Sequence, residues 1–404
     1  MEEKSPVYLV MVTTNNNNKY YRMIPHGDTF EAEYGRVGAS CQHASYSMSQ
    51  WNKKYNEKIK KGYVDQTHLV QDLIQKEKPR GKDCYKEIEN KVIAEIVQRL
   101  QDMAHQKIQA NYKVSSQQVT QAMVDEAQKV IDKLMQREEV EDFNNTLLEL
   151  FSVIPRKMGN VNDYLSRSKK DFARILKDEQ DLLDVMRGQV VTHTVQDEPD
   201  TDDVEEKQET IIEAMGLEFE EATEDDVRMI KSLLGDCRDK FYRAWRVKNI
   251  KTQKRFDEFV NKEHISKTKL LWHGSRNENW WSIINTGLVL RPTNAVITGK
   301  MFGFGIYYAP KARKSLGYTS LSGSYWARGN SNSAFMALMD VAYGKPYDVH
   351  SFDSKYYDFN YERLQKTCPG ANCLHAHAGS MLRNDEIIVY KEDQCTIKYL
   401  VELR

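Results

Sequence analysis

At 404 residues the chain is too long for one ordinary domain, and 40% hydrophobic with 29% charged residues at a mean hydropathy of -0.68 exclude a membrane-embedded protein. Six cysteines are too few for a disulfide-built scaffold and point to a reducing compartment, and the acidic start MEEKSPVYLV lacks the basic region of a secretory signal. The balance of 58 Lys and Arg against 59 Asp and Glu conceals a segregation: Asp197 to Asp226 holds 15 acidic residues and one lysine, net -14, which leaves +13 on the rest. That excess favours a polyanion such as nucleic acid as partner.

Residues 1–85 predict a small β-rich unit. Val7 to Thr13 and Lys19 to Ile24 flank an asparagine run, Asn15 to Asn18, suited to a hairpin tip, and Thr29 to Val37 supplies another strand. Trp51, Tyr55 and Ile59 then recur every four residues among Lys53, Lys54, Lys58, Lys60 and Lys61, a short helix with a basic face that Gly62 ends. The string around Gly35, Arg36, Val37 and Gly38, closed by KKGY, resembles a WGR domain, with Tyr34 in place of the naming tryptophan. The resemblance implies that Tyr34 packs on a terminal sugar and base of a DNA end, where stacking contributes about 1–3 kcal/mol per base, and that Arg36 meets phosphate.

Residues 86–196 carry helical periodicity without a strand pattern. Ile88, Val92, Ile96, Leu100 and Met103 form one stripe, and Val119, Met123, Ala127, Val130, Ile131 and Leu134 a second, opened by Ser115 and Gln118 as a capping box. A third run, Phe143 to Val153, halts at Pro155, and a fourth ends near Gly188. This bundle resembles the helical regulatory domain of the DNA-dependent poly(ADP-ribose) polymerases, which implies a gate over an NAD site that opens when DNA binds. Restricting activity 100-fold needs only about 2.7 kcal/mol of bias. Residues 197–219 read as an acidic connector.

From residue 220 onward short apolar runs and glycines dominate. Lys269 to Trp272 predicts a buried strand that delivers His273, Gly274 and Ser275, and Asn277 is expected to cap a helix through Trp280 and Ile284 that Gly287 closes. Glu386 to Tyr390 and Thr396 to Leu403 predict two more strands. Gly303 and Gly305 lack the third glycine and helix of a Rossmann fingerprint, and there is no Walker A lysine motif. His273 and Ser275 are too close on one strand end for a serine-nucleophile relay. Cys368, Cys373, His375 and His377 match no common structural zinc spacing, so a loop without metal is expected there.

His273 in LLWHGSR, Tyr307 in FGFGIYYA and Glu386 in NDEIIVY resemble the ordered signature of the poly(ADP-ribose) polymerase catalytic domain over 220–404. The resemblance places the chain with the shorter members that lack zinc fingers and implies a multidomain α+β protein. Its parts are a WGR domain, an all-α regulatory bundle and a mixed α/β ADP-ribosyltransferase domain with a split antiparallel sheet. NAD is consumed as substrate, its nicotinamide amide gripped by Gly274 and Ser275, with Tyr318 stacked on the ring, Tyr307 across from it and Ser315 close by. His273 bonds the adenosine ribose. Glu386 bonds the nicotinamide ribose 2′-hydroxyl and orients the acceptor, while Asp385, the rival carboxylate, turns to the opposite face of its strand. Lys300 and Phe304 depart from the pattern before Tyr307. Expected partners are DNA ends or nicks and acceptor proteins, including the chain itself, in the nucleus, with no membrane and no metal; a DNA-end-binding scaffold and an NAD glycohydrolase are the alternatives.

Overall fold

The apolar strand Val7–Thr13 (β1), with Leu9, Val10 and Met11 buried in succession, pairs in antiparallel register with Asn17–His26 (β2). Thr14, Asn15 and Asn16 form the turn, Asn16 at φ 58°, and the expected tip residues Asn17 and Asn18 belong to β2 instead. Thr29–Arg36 (β3), Gln42–Ser47 (β4) and the short Val64–Asp65 (β5) complete a sheet in the order β4-β3-β2-β1-β5. The helix Trp51–Lys60 (α1) buries Trp51 edge-on against Phe30, with ring centroids 5.0 Å apart. Gly62, at φ 89°, follows the helix end. The computed structural model describes residues 4–70, 86–111, 119–196, 209–290, 301–380 and 382–404.

Four long helices follow: Lys91–Asn111 (α2), Gln121–Leu134 (α3), Val140–Val153 (α4) and Phe172–Gln196 (α5). The stripe Met123, Val124, Ala127, Val130, Ile131 and Leu134 is buried as its spacing predicts. The expected cap pair Ser115 and Gln118 lies outside the described residues; Thr120 caps α3 instead, its side chain accepting from the Met123 N–H at 3.1 Å. Gly188 does not end α5, which continues to Gln196. A single glycine inside a helix costs only about 1 kcal/mol against alanine. The buried ion pair of Arg156 with Glu179 ties α5 to the segment after α4, and Asn18 donates to the Arg156 carbonyl at 2.8 Å. The chain forms two compact units: residues 1–80 with 105–190, and residues 81–104 with 191–404.

In the second unit, Leu217–Glu221 (β6), Phe241–Asn249 (β7), Lys269–Gly274 (β8), Ala334–Val341 (β10) and Cys395–Leu403 (β14) form a sheet in the order β6-β7-β14-β10-β8. Ile306–Tyr308 (β9), Pro346–Val349 (β11), Cys373–Ala376 (β12) and Glu386–Val389 (β13) form another, ordered β11-β12-β13-β9. All these pairings are antiparallel except β11 with β12, which is parallel. The acidic span is structured from Thr210 onward, as a helical turn over Ile211–Ala214 and then β6; residues 197–208 lie outside the description. The helices here are Glu224–Leu234 (α6), Ile250–Lys262 (α7), Trp280–Thr286 (α8), Ala312–Leu316 (α9) and Tyr361–Thr367 (α10). Asn277 does not cap α8: it opens a 3-10 turn, and its amide donates to the Ser333 carbonyl at 2.9 Å.

Asp226, in the first turn of α6, ties the helix to two inner strands of the larger sheet, β7 and β14. Its carboxylate takes Arg246 Nε at 2.7 Å, the Tyr399 hydroxyl at 2.8 Å and the Thr223 N–H at 2.8 Å. Burial alone would raise this carboxyl, but the hydrogen bonds from Arg246, Thr223 and Tyr399 outweigh it and hold the group far below the ordinary carboxylate range. Because the folded value is depressed, the stabilisation is complete above the unfolded pKa near 4 and is lost as pH falls towards the folded one. Asp226→Asn should therefore cost about 2 kcal/mol at pH 7, a difference that shrinks progressively below about pH 4, as read by urea denaturation of both proteins across that range.

Candidate active site

Two reciprocal hydrogen bonds join the sheets of the second unit: Trp272 N–H to the Ala309 carbonyl at 2.9 Å, and Ala309 N–H to the Trp272 carbonyl at 3.0 Å. Trp272 itself is fully buried, and its indole N–H donates to the Leu233 carbonyl at 3.1 Å. This bridge sets His273, the next residue of β8, beside Tyr307 of β9, with His273 Nδ1 3.1 Å from the Tyr307 carbonyl oxygen. A carbonyl can only accept, so Nδ1 carries the proton. Tyr307 in turn lies opposite Ile388 of β13, and Glu386 begins that same strand. The three residues of the signature are thus placed on β8, β9 and β13, in two hydrogen-bonded sheets.

Glu386 is buried at 8% exposure and meets an ammonium group that the sequence reading did not single out. Lys314 Nζ, from α9, lies 2.6 Å from Glu386 Oε1, both side chains being largely covered. Covered as they are, the two charges attract more strongly than an exposed pair would. The field of this carboxylate reaches the aromatic walls. Burial first, and then the Glu386 charge, push the Tyr318 phenol up to about 12. Burial raises the Tyr307 phenol further, opposed by the Phe302 N–H and reinforced by Glu386 and Tyr318. Both phenols are therefore neutral at physiological pH. Lys314 was legible only as part of a basic helix start; its position one residue before Ser315 turns it to Glu386.

The segment between these groups fixes the floor. Tyr307 accepts from the Phe302 N–H at 3.0 Å and donates to the Gly303 carbonyl at 3.1 Å, so its hydroxyl braces the loop before its own strand. Gly303, at φ 68°, lies so close to Phe359 that a Cβ would approach its carbonyl oxygen to 2.2 Å. Phe304 donates its N–H to the same carbonyl at 2.8 Å; Lys300 lies outside the described residues. Ser275 Oγ accepts from Asn279 Nδ2 at 2.9 Å. Ser315 is buried and donates to the Trp272 carbonyl at 3.0 Å, so its hydroxyl supports β8 from beneath. Tyr318 is partly exposed and stacks with Trp326, ring centroids 6.2 Å apart at 15°.

Asp385, next to Glu386, faces elsewhere: its Oδ2 lies 3.0 Å from His375 Nε2 and its Oδ1 accepts from the Ala378 N–H at 2.8 Å. Cys373 and His375 lie on β12 and not in a loop. Cys373 is buried with its thiol donating to the Tyr343 carbonyl, and Cys368 sits at the end of α10.

In the first unit Tyr34 lies opposite Tyr21 on β2 and stacks with it at 5.6 Å, while Lys58 Nζ sits 4.1 Å from the Tyr21 ring centroid and 5.7 Å from that of Tyr34. Arg36, two residues on, is engaged inside the protein. Its guanidinium donates to the Asn16 carbonyl at 2.8 Å, to Asn16 Oδ1 at 2.8 Å, to the Met158 carbonyl at 3.1 Å and to the Gly159 carbonyl at 2.7 Å. It ties the hairpin tip to the segment after α4. The WGR signature explains the arginine at this position; the Met158 and Gly159 carbonyls, more than a hundred residues away, had no local signal.

The poly(ADP-ribose) polymerase catalytic domain family matches residues 224–404, and the WGR domain family matches residues 5–70. The chain is 34% identical over 186 residues to the uncharacterized protein 101L of Invertebrate iridescent virus 6, an alignment covering 45% of this chain and 76% of that one. It is 31% identical over 168 residues to the putative poly [ADP-ribose] polymerase-like 100L of the same virus, 41% of this chain and 87% of that one. Against poly [ADP-ribose] polymerase 2 of Zea mays it is 28% identical over 224 residues, 52% of this chain and 32% of the maize protein.

The tightest packing in the site is also the simplest to perturb. A Cβ on Gly274 would come within 2.0 Å of the Ser315 carbonyl oxygen, a backbone atom that cannot give way without moving α9. Gly274→Ala should cost about 2 kcal/mol or more and abolish ligand binding at β8. Gly379→Ala, where nothing lies within 4 Å of the added carbon, should leave the denaturation midpoint unchanged.

Proposed function

The chain belongs to the poly(ADP-ribose) polymerase family, and from that premise we propose that a DNA break, bound by its WGR domain, stimulates transfer of ADP-ribose to protein side chains. The enzyme is an ADP-ribosyltransferase that consumes NAD as substrate. The observation that carries the site assignment is the juxtaposition of His273, Tyr307 and Glu386 with a lysine on the carboxylate.

Breaking the bond between nicotinamide and ribose builds positive charge at the sugar, so the protein must hold the leaving group and place negative charge beside the reacting carbon. In our reading NAD occupies the cleft where these residues meet. The backbone of Gly274, accessible because no side chain covers it, and Ser275 hold the nicotinamide amide. Tyr307 and Tyr318 flank the ring, Ser315 supports the floor, and His273 bonds the adenosine ribose. Glu386 accepts from the nicotinamide ribose 2′-hydroxyl, an interaction that strengthens as the sugar becomes cationic, and then orients the attacking hydroxyl of the acceptor. Lys314 holds the carboxylate in place. Acceptors include the chain itself, with the acidic span after residue 196 a candidate, and the product is polymer, with single-unit transfer as the alternative.

The proposed domains are 1–85 for DNA ends, 86–196 for gating and 220–404 for catalysis, joined by an acidic connector at 197–219. Tyr34 stacks on the DNA end and nearby Lys58 adds positive charge. Arg36 reaches phosphate only if it exchanges its present carbonyl partners, so its first task is to hold the hairpin tip. Phosphate contacts make DNA affinity fall with salt. Nuclear residence follows from the DNA substrate, and among the described residues no helix is long and apolar enough to cross a membrane.

The gate acts through α2. Arg99 donates to Ser333 Oγ at 2.8 Å and to Glu402 Oε1 at 2.9 Å, and Ser333 in turn accepts from Asn277, three residues past Gly274. Glu402 is 1% exposed, so the contact is held away from solvent. The chain passes from one compact unit to the other within this helix, which makes it the natural carrier of a DNA signal.

Incubation of the full chain with labelled NAD, with and without nicked or broken DNA, should give protein-bound label that DNA increases. Free ADP-ribose without adduct would identify a glycohydrolase, and no turnover a DNA-binding scaffold. Glu386→Gln should slow labelling by about 100-fold or more. Arg99→Ala should raise the DNA-free rate about tenfold, the effect of about 1.4 kcal/mol on the gate, while leaving the DNA-stimulated rate near wild type.

A further inference from the structure

On the side of β12 and β13 to which Asp385 turns, two imidazoles are held between two carboxylates. His375 and His377 stack at 4.0 Å between ring centroids and 23° between planes, and His350 stacks on the outer face of His377 at 4.4 Å. Along one edge runs Asp348 of β11, which pairs with His375 in the parallel register; its Oδ1 is 2.7 Å from His377 Nε2 and 3.9 Å from His375 Nδ1. Along the other edge Asp385 Oδ2 lies 3.0 Å from His375 Nε2 and 3.8 Å from His377 Nδ1. The backbone is fixed at both ends, by His377 N–H to the Val349 carbonyl at 2.8 Å and by Ala378 N–H to Asp385 Oδ1 at 2.8 Å.

We propose that Asp348, His375 and His377 bind one divalent transition-metal ion of the zinc class, with Asp385 orienting both histidines. Their ligand atoms already lie within 4.8 Å of one another. Ligands about 2.0–2.1 Å from a tetrahedral ion sit roughly 3.3 Å apart, between the two distances that Asp348 makes, and the two stacked rings must tilt apart for both lone pairs to meet one ion. The proton positions agree. Asp385 accepts from His375 Nε2–H and, once the ion takes His377 Nε2, from His377 Nδ1–H, which turns the lone pair of each ring towards Asp348. This is the arrangement in which a carboxylate fixes the tautomer of a ligating histidine. His377 thereby exchanges its hydrogen bond to Asp348 for a shared ion, and the Tyr343 hydroxyl, 2.8 Å from His375 Nδ1, gives way to it. Imidazole ligands favour zinc, copper or nickel over magnesium or calcium. The ion joins β11, β12 and the turn that precedes Glu386.

The spacing of Cys368, Cys373, His375 and His377 conceals this set, because Asp348 arrives from a neighbouring strand and the cysteines are not part of it. The full chain, stripped with a chelator, is titrated with zinc(II) by calorimetry and with cobalt(II) by its visible d–d absorption. One equivalent should bind the wild type. Asp348→Asn and His377→Gln, both at partly exposed side chains, should each weaken binding by about tenfold or more with an unchanged circular dichroism spectrum, whereas Cys368→Ser should bind as the wild type does. Failure of the wild type to take up either ion overturns the proposal. So does wild-type affinity in the Asp348→Asn and His377→Gln double variant, or loss of binding in Cys368→Ser.

Discussion

The geometry of the candidate active site depends on the pair of hydrogen bonds between Trp272 and Ala309. They are an isolated bridge between two sheets, and without them β8 and β9 would have no common register. One residue beyond the bridge, His273 finds the Tyr307 carbonyl; two beyond it, Gly274 lies against the backbone of Ser315. Ser315 closes the circuit by donating to the carbonyl of Trp272 itself. The buried indole anchors the arrangement, since a side chain this large with its N–H satisfied leaves the strand little freedom to slide. A site made from three separated strand ends is thereby held by local geometry.

The charges obey a similar economy of position. Lys314 and Glu386 approach from a short helix and a strand, and each is largely covered, so removal of either would leave the other without compensation in a poorly solvated place. Arg156 with Glu179 repeat the pattern among the helices, and Asp226 holds a half-exposed Arg246 on β7 of the larger sheet. In each case one partner lies on a helix and the other outside it. These pairs fix how helices dock and do not merely decorate a surface.

Much of this was legible in the residues. The α3 stripe followed from periodicity because it buries one face, whereas β1 and β8 were legible as short apolar runs, their consecutive residues Leu9 and Val10, and Leu271 and Trp272, being buried on both faces. The signature residues His273, Tyr307 and Glu386 came from resemblance, and they lie on β8, β9 and β13. Helix ends were less legible: Thr120 and not Ser115 caps α3, and Gly188 lies inside a helix, because a cap or a stop depends on what the neighbouring chain packs against. Long-range polar partners left no trace at all. Neither the link from Lys314 to Glu386 nor that from Arg36 to the Gly159 carbonyl has a sequence period, and Asp348 meets His377 only because β11 and β12 run parallel.

Asp385 and Glu386 share a peptide bond yet serve opposite sides of their strand. Asp385 is fastened by the Ala378 N–H and His375, and just inside that fastening the Gly379 N–H bonds the Leu382 carbonyl at 2.8 Å. The entry to β13 is thus tied twice, once through the Asp385 carboxylate and once through backbone alone. A substitution that removed the Asp385 or His375 side chain would leave the second tie in place, and with it the phase of the strand that carries Glu386.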